Sequence, residues 1–511
     1  NCRDGFQQSF PRSWKRWNFY GYILGAYKSN RKFSIIVMTI YSIIKKSELE
    51  GASRIDAEYY QPEYFIFTDL LKKFGTKNLS ELSIIRSGTT ATDRDDERKK
   101  GIILLKTTDI RNNILQNGKD YYFIREKIDD RMKNTRIYKT DVLINIVGAT
   151  LDVIGRVAFI PTNFPKANIT QAMALIRLKD KNFFQEFIFA FLMSKYGRFQ
   201  IDKMARPTGQ YNLNLEELGL FKIPLILISD QEKIKILIQK SQDFSLSSEI
   251  FYSEAENLLL GELELKDFES EIEKKLWSVV NLSEVKNVGR IDAEYFQPKY
   301  QKMFSAIKKY DVKTLGELVT IKKGFEPGSE SYQDEGKLFI RVSSISKDGI
   351  TDKDQKYLKD DLYQKLKKDF EPKIGEILLT KDASPGIAYV VKEQMEGLIS
   401  GGVLKIKIKE DIEPEYVALV INSLVGQMQV ERDAGGSIIA HWKPDQIKEM
   451  QIPILPKKTQ QKIAELVRKS HEARRKAKEL LEEAKRKVEE LIEDKSVKDD
   501  PLEQGHFKSH L

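Results

Sequence analysis

A chain of 511 residues with four histidines and one cysteine offers few places for chemistry. His506 and His510 lie in a C-terminal stretch expected to be disordered, His471 falls in a long helical pattern, and His441 stands alone in AGGSIIAHWKPDQI, so no two histidines form a catalytic cluster. Two carboxylate pairs, Asp56 with Glu58 and Asp292 with Glu294, have a spacing that could serve an acid and base or a metal. Each pair sits in the same aromatic and Gln-Pro frame without further ligands, so the pairs are read as structural or subunit-contacting. Glu371-Pro372-Lys373 has the look of the acidic-x-Lys end of a metal-dependent nuclease site, but Pro372 would interrupt a strand and the matching region elsewhere in the chain offers no counterpart. No phosphate-binding Gly-rich loop ending in Gly-Lys-Ser/Thr, no Gly-x-Gly-x-x-Gly after a strand and no His-Glu-x-x-His is present. The single Cys2 excludes a disulfide framework and a Cys-rich zinc site. Neither a metal nor a cofactor is expected, and the chain is not read as an enzyme.

What the sequence does carry is a repeat, the first thing to settle because it decides the whole architecture. RIDAEYYQPEY begins at position 54 and RIDAEYFQPKY at 290, an offset of 236. The offset holds for IYSIIKKSELEGAS (40–53) against LWSVVNLSEVKNVG (276–289) and for TKNLSELSIIRSG (76–88) against VKTLGELVTIKKG (312–324). It then shrinks through LKTTDI (105–110) against IRVSSI (340–345), ITQAMALIRLK against ISGGVLKIKIK, and KIPLI (222–226) against QIPIL (451–455). DQEKIKILIQKS (230–241) and TQQKIAELVRKS (459–470) close each copy by entering a helix. The frames agree, while ATDRDDERKK and SYQDEGKL, VGATLDVIG and DASPG, and RPTGQYNLNLEEL and AGGSIIAHWKPDQI differ.

Within a copy, GIILLK (101–106), DVLINIVG (141–148), GRVAFI (155–160) and AMALIRL (172–178) read as strands, bounded by Gly, Pro and Asn. QPEYFIFTDLLKKF (61–74) reads as a helix with Pro62 in its first turn, and FFQEFIFAFLMSKYGRFQ (183–200) as one apolar amphipathic helix. The irregular alternation gives an α+β fold, not a doubly wound sheet. Each copy then ends in a long Gly- and Pro-poor tail. Ile463, Ser470, Ala477, Ala484 and Leu491 recur at sevens beside Leu466, Ala473 and Leu480, with Lys487 breaking the second row. Ile234, Ser241, Ser248 and Ala255 answer them beside Leu237, Phe244, Phe251 and Leu258. Small residues in one row permit close helix approach, so the tails are expected to pair as an antiparallel coiled coil between two mixed α/β domains.

The division follows: an N-terminal extension (1–39), a first domain (40–228), a first helix (229–275), a second domain (276–456), a second helix (457–494) and a disordered tail (495–511). The chain begins with Asn1 and Met38 sits just before the repeat, so the extension is expected to be non-native upstream frame or disordered. SIIVMTIYSII (34–44) is too short to span a bilayer, which takes ~20 apolar residues. A cytoplasmic protein without a membrane partner is expected. The net charge of +9 leans towards polyanionic partners.

In this order and in duplicate, the Arg-Ile-Asp-Ala-Glu-Tyr-Tyr-Gln-Pro opening, the Ser87-Gly88 turn, the LKTTDI or IRVSSI strand, TGQYNLNLEELGLFKIPLI and the DQEKI or TQQKI helix resemble the DNA specificity subunit of type I restriction-modification systems. The resemblance covers ~40–494. It implies two target recognition domains, each reading one half of a bipartite site in double-stranded DNA, and two helices that set the spacing. It also implies a non-catalytic subunit that docks methyltransferase (modification) subunits, two in number, which bind S-adenosylmethionine, and through them the ATP-dependent restriction subunits. SQDFSLSSEIFYSE (241–254) departs from a rigid spacer by its poor helix propensity. A related system with methylation and cleavage fused in one partner, a chain with an unrecognised nuclease or methyltransferase site, and a non-DNA coiled-coil scaffold are the alternatives.

Base readout needs donors and acceptors that reach the grooves, in loops that differ between copies. In the first domain these are Arg86, Thr89 and Thr90, then Lys106, Thr107 and Thr108, then Arg206, Thr208, Gln210, Tyr211 and Asn212. In the second they are Lys322, Lys323, Arg341, Ser343, Ser344, Lys381, Ser437, His441, Trp442 and Lys443. The Gly-rich loops near 209 and 436 carry the strongest expectation.

Overall fold

The computed structural model describes residues 44–45, 49, 55–91, 100–115, 121–207, 209–268, 277–333, 335–351, 355–434 and 441–498. Two compact units emerge, Asn1–Gln242 with Lys478–Leu511, and Asp243–Ala477. The expected extension (1–39) and residues 499–511 lie outside the described residues.

In the first unit the apolar runs become an antiparallel four-stranded sheet in the order Ser83–Ser87, Met173–Leu178, Val142–Asn145, Val157–Phe159. Val142–Asn145 and Val157–Phe159 are buried along their whole length, which explains why they read as continuous rather than alternating apolar runs. A smaller sheet, Ala167–Ile169, Ile102–Leu105, Tyr122–Ile124, has its first pair parallel. The second unit repeats both: Val319–Lys323, Val403–Ile408, Ile377–Thr380, Ala388–Val390 form one sheet, and Lys337–Ile340 pairs in parallel with Gly397–Ile399 in the other.

Each unit is closed by pairing its opening strand with its last one, Thr76–Asn78 with Lys222–Pro224 and Asp311–Thr314 with Gln451–Ile454. A buried glutamine clips the closing strand in both. Gln200 accepts from the Lys222 N–H at 2.7 Å and donates to the Lys222 carbonyl at 3.2 Å; Gln429 does the same to Gln451 at 2.8 and 3.0 Å. One amide thus satisfies both backbone groups of the residue that opens the closing strand.

The single helix expected over 183–200 is two, Gln185–Met193 and Lys195–Met204. Ser194 between them is extended (φ −68, ψ 164), buried, and accepts from the Gly197 N–H. A Cβ on Gly197 would stand 2.4 Å from the Phe191 carbonyl oxygen, so the tight corner needs glycine. The second unit breaks at Ser423 between Pro414–Asn422 and Leu424–Asp433, with Gly426 in the matching place.

The first long helix runs Ile228–Glu262, not to 275: Glu264 turns into a left-handed conformation (φ 57) while the Leu265 N–H returns to the Leu260 carbonyl. The second runs Lys457–Lys498. One row of small residues is buried as expected, Ser241, Ser248 and Ala255 on the first helix and Ser470, Ala477 and Ala484 on the second. The other row lies one position further on than the sevens placed it. Ile238, Tyr252 and Leu259 are buried instead of Leu237, Phe251 and Leu258, and Val467, Leu481 and Val488 instead of Leu466, Leu480 and Lys487, although Ala473 is buried where the sevens placed it; at the end of the first row Ile492 is buried instead of Leu491. The apolar face is wider than a two-row seam because these helices also cover the domain cores. Within the second unit Lys476 lies over the Phe244 ring and Ser470 donates to the Ser248 carbonyl at 2.7 Å, so the two segments there run antiparallel. Among the described residues no helix is long and apolar enough to cross a membrane.

Candidate nucleic-acid interface

The first unit gathers its candidates at one end of the four-stranded sheet. Arg86 is exposed and donates to the Asn134 carbonyl at 3.1 Å. The strand then leaves through Gly88, whose N–H reaches the Met173 carbonyl, and Thr89, whose N–H reaches Ile169. A Cβ on Gly88 would lie 2.0 Å from the Ile169 oxygen, so glycine is what lets the exposed Thr89 and Thr90 emerge here. Ile169 pairs with Leu105, which leads directly into Lys106 and the turn Thr107–Asp109. Asp109 accepts from the Lys106 N–H and lies 3.1 Å from its ammonium, which also sits 4.2 Å from the Tyr122 ring centre. Burial raises the Asp109 carboxyl above its ordinary range even against Lys106. Buried Asn145 fixes the turn by donating to the Thr107 carbonyl at 3.1 Å.

Past Asn145, Val147–Gly148 pairs with Tyr211–Asn212, which pairs with Arg206–Pro207. Gln210 projects at the tip beside Gly209, which has a positive φ of 78 and open space around it. Arg206 is held from below by Glu217, Nε to carboxylate 2.9 Å. Arg86, Thr89, Thr90, Thr107, Thr108, Gln210, Tyr211 and Asn212 are therefore all carried by segments that leave one sheet end. Thr208 lies outside the described residues.

The second unit builds the same platform from different residues. Lys322 and Lys323 are exposed at the end of their strand, and Lys322 ion-pairs with Asp369. Gly324 approaches Ser400 as Gly88 approaches Ile169, with a would-be Cβ 2.1 Å from the oxygen. Arg341 precedes the turn Val342–Ser344, and Ser343 is its middle residue. Lys381 donates its N–H to Gly402 and receives the Trp442 N–H, which docks His441 against Asp382 as an isolated bridge. His441 Nδ1 lies 2.8 Å from Asp382 Oδ1, and the ring is largely exposed. Burial alone would raise the Asp382 carboxyl, but hydrogen bonds from Lys381 and His441 outweigh it and hold the group below the ordinary range. Lys443 is exposed at the start of the next helix, and Ser437 lies outside the described residues.

Two expected readers are misplaced. Trp442 is 1% exposed within the second core, where it takes the place that Leu213 has in the first: Leu213 donates to Ile146 as Trp442 donates to Lys381. The IPL and IPI pairing already sets this correspondence, so an apolar partner was visible in the sequence. Ser344 is fully buried; its hydroxyl accepts from the Arg341 N–H at 3.0 Å and donates to the Arg341 carbonyl, closing the turn as Asp109 does in the first unit. The residue missed was Asp382. It stood in the divergent DASPG segment beside Lys381, where only the lysine was taken as a candidate.

No group of three or more His, Cys, Asp or Glu side chains that could hold a metal ion occurs among the described residues. Asp292 of the duplicated carboxylates is engaged structurally, forked by Arg290 at 2.7 and 2.8 Å and accepting from the Tyr295 N–H.

A family model described as the type I restriction modification DNA specificity domain matches twice, over residues 72–247 and 307–485, together more than half of the chain. The specificity subunit of the type I restriction enzyme EcoBI from Escherichia coli is 28% identical over 139 residues, which are 27% of this chain and 28% of that relative's length. Among solved structures, the S subunit of a type I system from M. genitalium is 14% identical over 83% of this chain and 94% of its own, with a TM-score of 0.32. The HsdS subunit from Thermoanaerobacter tengcongensis is 14% identical over 83% and 96%, with a TM-score of 0.25. By its two matched domains, the chain belongs to the type I restriction-modification DNA specificity family.

Proposed function

We propose that this chain is the non-catalytic DNA-reading subunit of a type I restriction-modification complex. Each unit reads one half of a split target in double-stranded DNA, the two long helices fix the separation of the halves, and methyltransferase subunits, with restriction subunits bound through them, supply the chemistry. The reading rests on one observation above all. Equivalent backbone positions, Asn212 facing Val147 and His441 facing Asp382, carry unlike side chains on a superimposable hydrogen-bonding pattern. A common frame with different hydrogen-bonding groups at its tip suits two readers of two different base sequences, since specificity lies in donors and acceptors offered to base edges. Exposed Arg86, Lys322, Lys323 and Lys443 around those tips suit phosphate contacts that set register.

The test is a map of methylated positions in cells carrying the chain with its partner subunits. A split motif with an unspecified middle is expected; a single uninterrupted motif, or none, would overturn the reading. The purified chain should bind duplex DNA with log affinity falling linearly against log salt, and should turn over neither DNA nor S-adenosylmethionine by itself.

A further inference from the structure

The tip of the second unit is held more firmly than an exposed loop needs to be. Trp442, buried in the core, donates its N–H to the Lys381 carbonyl at 2.9 Å, and His441 bridges to Asp382. Asp382 itself stands on a braced loop. Its carbonyl accepts from the Ser384 N–H at 2.6 Å, and the Gly386 N–H returns to the Thr380 carbonyl at 2.9 Å. The hydroxyl of buried Thr380 donates to the Ser384 carbonyl and accepts from the Ile387 N–H. Gly386 has a φ of 88 and lies so close to Val430 that a Cβ would stand 2.7 Å from its methyl.

This bracing fixes which atom of the imidazole carries the hydrogen. Asp382 Oδ2 takes the Lys381 ammonium, and Oδ1 lies 2.8 Å from His441 Nδ1. Burial would raise the carboxyl, but those two hydrogen bonds hold it below its ordinary range, so it is ionised. An ionised carboxylate only accepts, and the shared hydrogen therefore belongs to Nδ1. A neutral imidazole has one such hydrogen, which leaves Nε2 an acceptor on a side chain that is 61% exposed. The amides of Gln210 and Asn212 in the first unit offer a donor and an acceptor alike, whereas this edge has one polarity. An acceptor selects a donor. Phosphate oxygens and the keto edges of guanine and thymine present lone pairs, and the donors of the major groove are the exocyclic amines, N6 of adenine and N4 of cytosine.

We propose that His441 reads one exocyclic amine, adenine N6 or cytosine N4, through Nε2, and that Asp382 is the positioning residue that sets this polarity. The inference rests on the DNA-reading function proposed above and names the chemical group that one residue of that site selects.

The test uses the full-length chain with its partner subunits and duplexes of the target mapped by methylation, at about pH 8, on the basic side of the ordinary histidine range. Each adenine of the two half-sites is replaced in turn by unsubstituted purine and each cytosine by 2-pyrimidinone, so that only the amine is lost. Wild type should lose about tenfold or more in affinity at one position, and His441→Ala should lose nothing further there. In Asp382→Asn, Lys381 claims the amide oxygen, the amide N–H faces Nδ1, and Nε2 becomes a donor. That variant should prefer oxygen to the amine at the same position, hypoxanthine for adenine or uracil for cytosine, with the opposing base changed to keep the pair. A misfolded site would lose affinity without reversing the preference. Amine losses that persist in His441→Ala, or that occur nowhere, overturn the acceptor while DNA reading stands. An equal loss on every duplex in His441→Ala marks a phosphate contact and overturns it too. Asp382→Asn with the wild-type preference overturns the role of Asp382. Absence of a split target in the methylation map overturns the proposed function itself and is seen before any analogue is tried.

Discussion

Asp382 holds the Nδ1 edge of His441 at 2.8 Å, while Lys381 holds Asp382 in turn. The imidazole is thereby aimed outward by a carboxylate that the first unit lacks at the same place, where Val147 faces Asn212. His441→Ala is expected to lower discrimination at one half-site by ~1–3 kcal/mol, the scale of a good base contact, and Gln210→Ala to do so at the other. Competition binding with duplexes altered in one half at a time reads this out. Equal losses at both halves would show that neither residue reads sequence.

Removing a glutamine clip should cost stability rather than specificity. Gln429→Ala leaves the N–H and carbonyl of Gln451 without their partner in a half-buried site, and Gln200→Ala does the same to Lys222. A loss of ~1–3 kcal/mol is expected, visible as a lower urea midpoint. An unchanged midpoint would mean that water satisfies the exposed backbone groups.

Gly88→Ala and Gly324→Ala should each disturb the platform more than their size suggests. The added methyl would meet a carbonyl oxygen at 2.0 or 2.1 Å, and backbone cannot rotate away as a flexible side chain can. A penalty of at least ~1–3 kcal/mol is expected, with weakened DNA binding at the affected half. Gly375→Ala has open space, and its cost should come from its positive φ of 87 alone. Equal melting temperatures for the Gly88 and Gly375 variants would contradict the clash.

His471 gives the helix pair of the second unit an acid limit. It stacks on Tyr389 at 5.8 Å, and burial, reinforced by the charge of Lys392, pushes its pKa down to about 4. The unfolded chain takes up the proton first, so the folded state is at full advantage above the ordinary value of about 6.5 and loses stability as pH falls towards about 4, after which this contribution levels off. At ~1.4 kcal/mol for each pH unit of displacement, the loss is on the order of 3 kcal/mol. His471→Gln should flatten the unfolding free energy between pH 6.5 and 4. A wild-type curve already flat in that window would remove the argument.

The repeat, the fold class and the strands were legible because they are written in residue order: Gly88 and Gly324, or KIPLI and QIPIL, announce themselves at a fixed spacing. The corner at Ser194 was not, since an apolar run of helical period looks alike whether one helix or two bury it. Nor was the shift from Leu237 to Ile238, because a two-row seam assumes one partner, whereas these helices face a second helix segment and a domain core together. Among the candidate readers, Gln210 and His441 were chosen by chemistry alone, and both lie exposed at the ends of their segments. Trp442 misled because a hydrogen-bonding ring was weighed by its type and not by Leu213 opposite it.

The composition of the first unit has a temporal consequence. Its core is completed by Ala484, Val488 and Ile492, which leave the ribosome after every strand of both units has been made. The half translated first must therefore wait, with Ile234 and Ile238 uncovered, until the last half-dozen turns of the chain arrive. A chain ending near Ala477 would hold all of the second unit but leave the first without the helix that covers Ile234 and Ile238, and should aggregate through that apolar face.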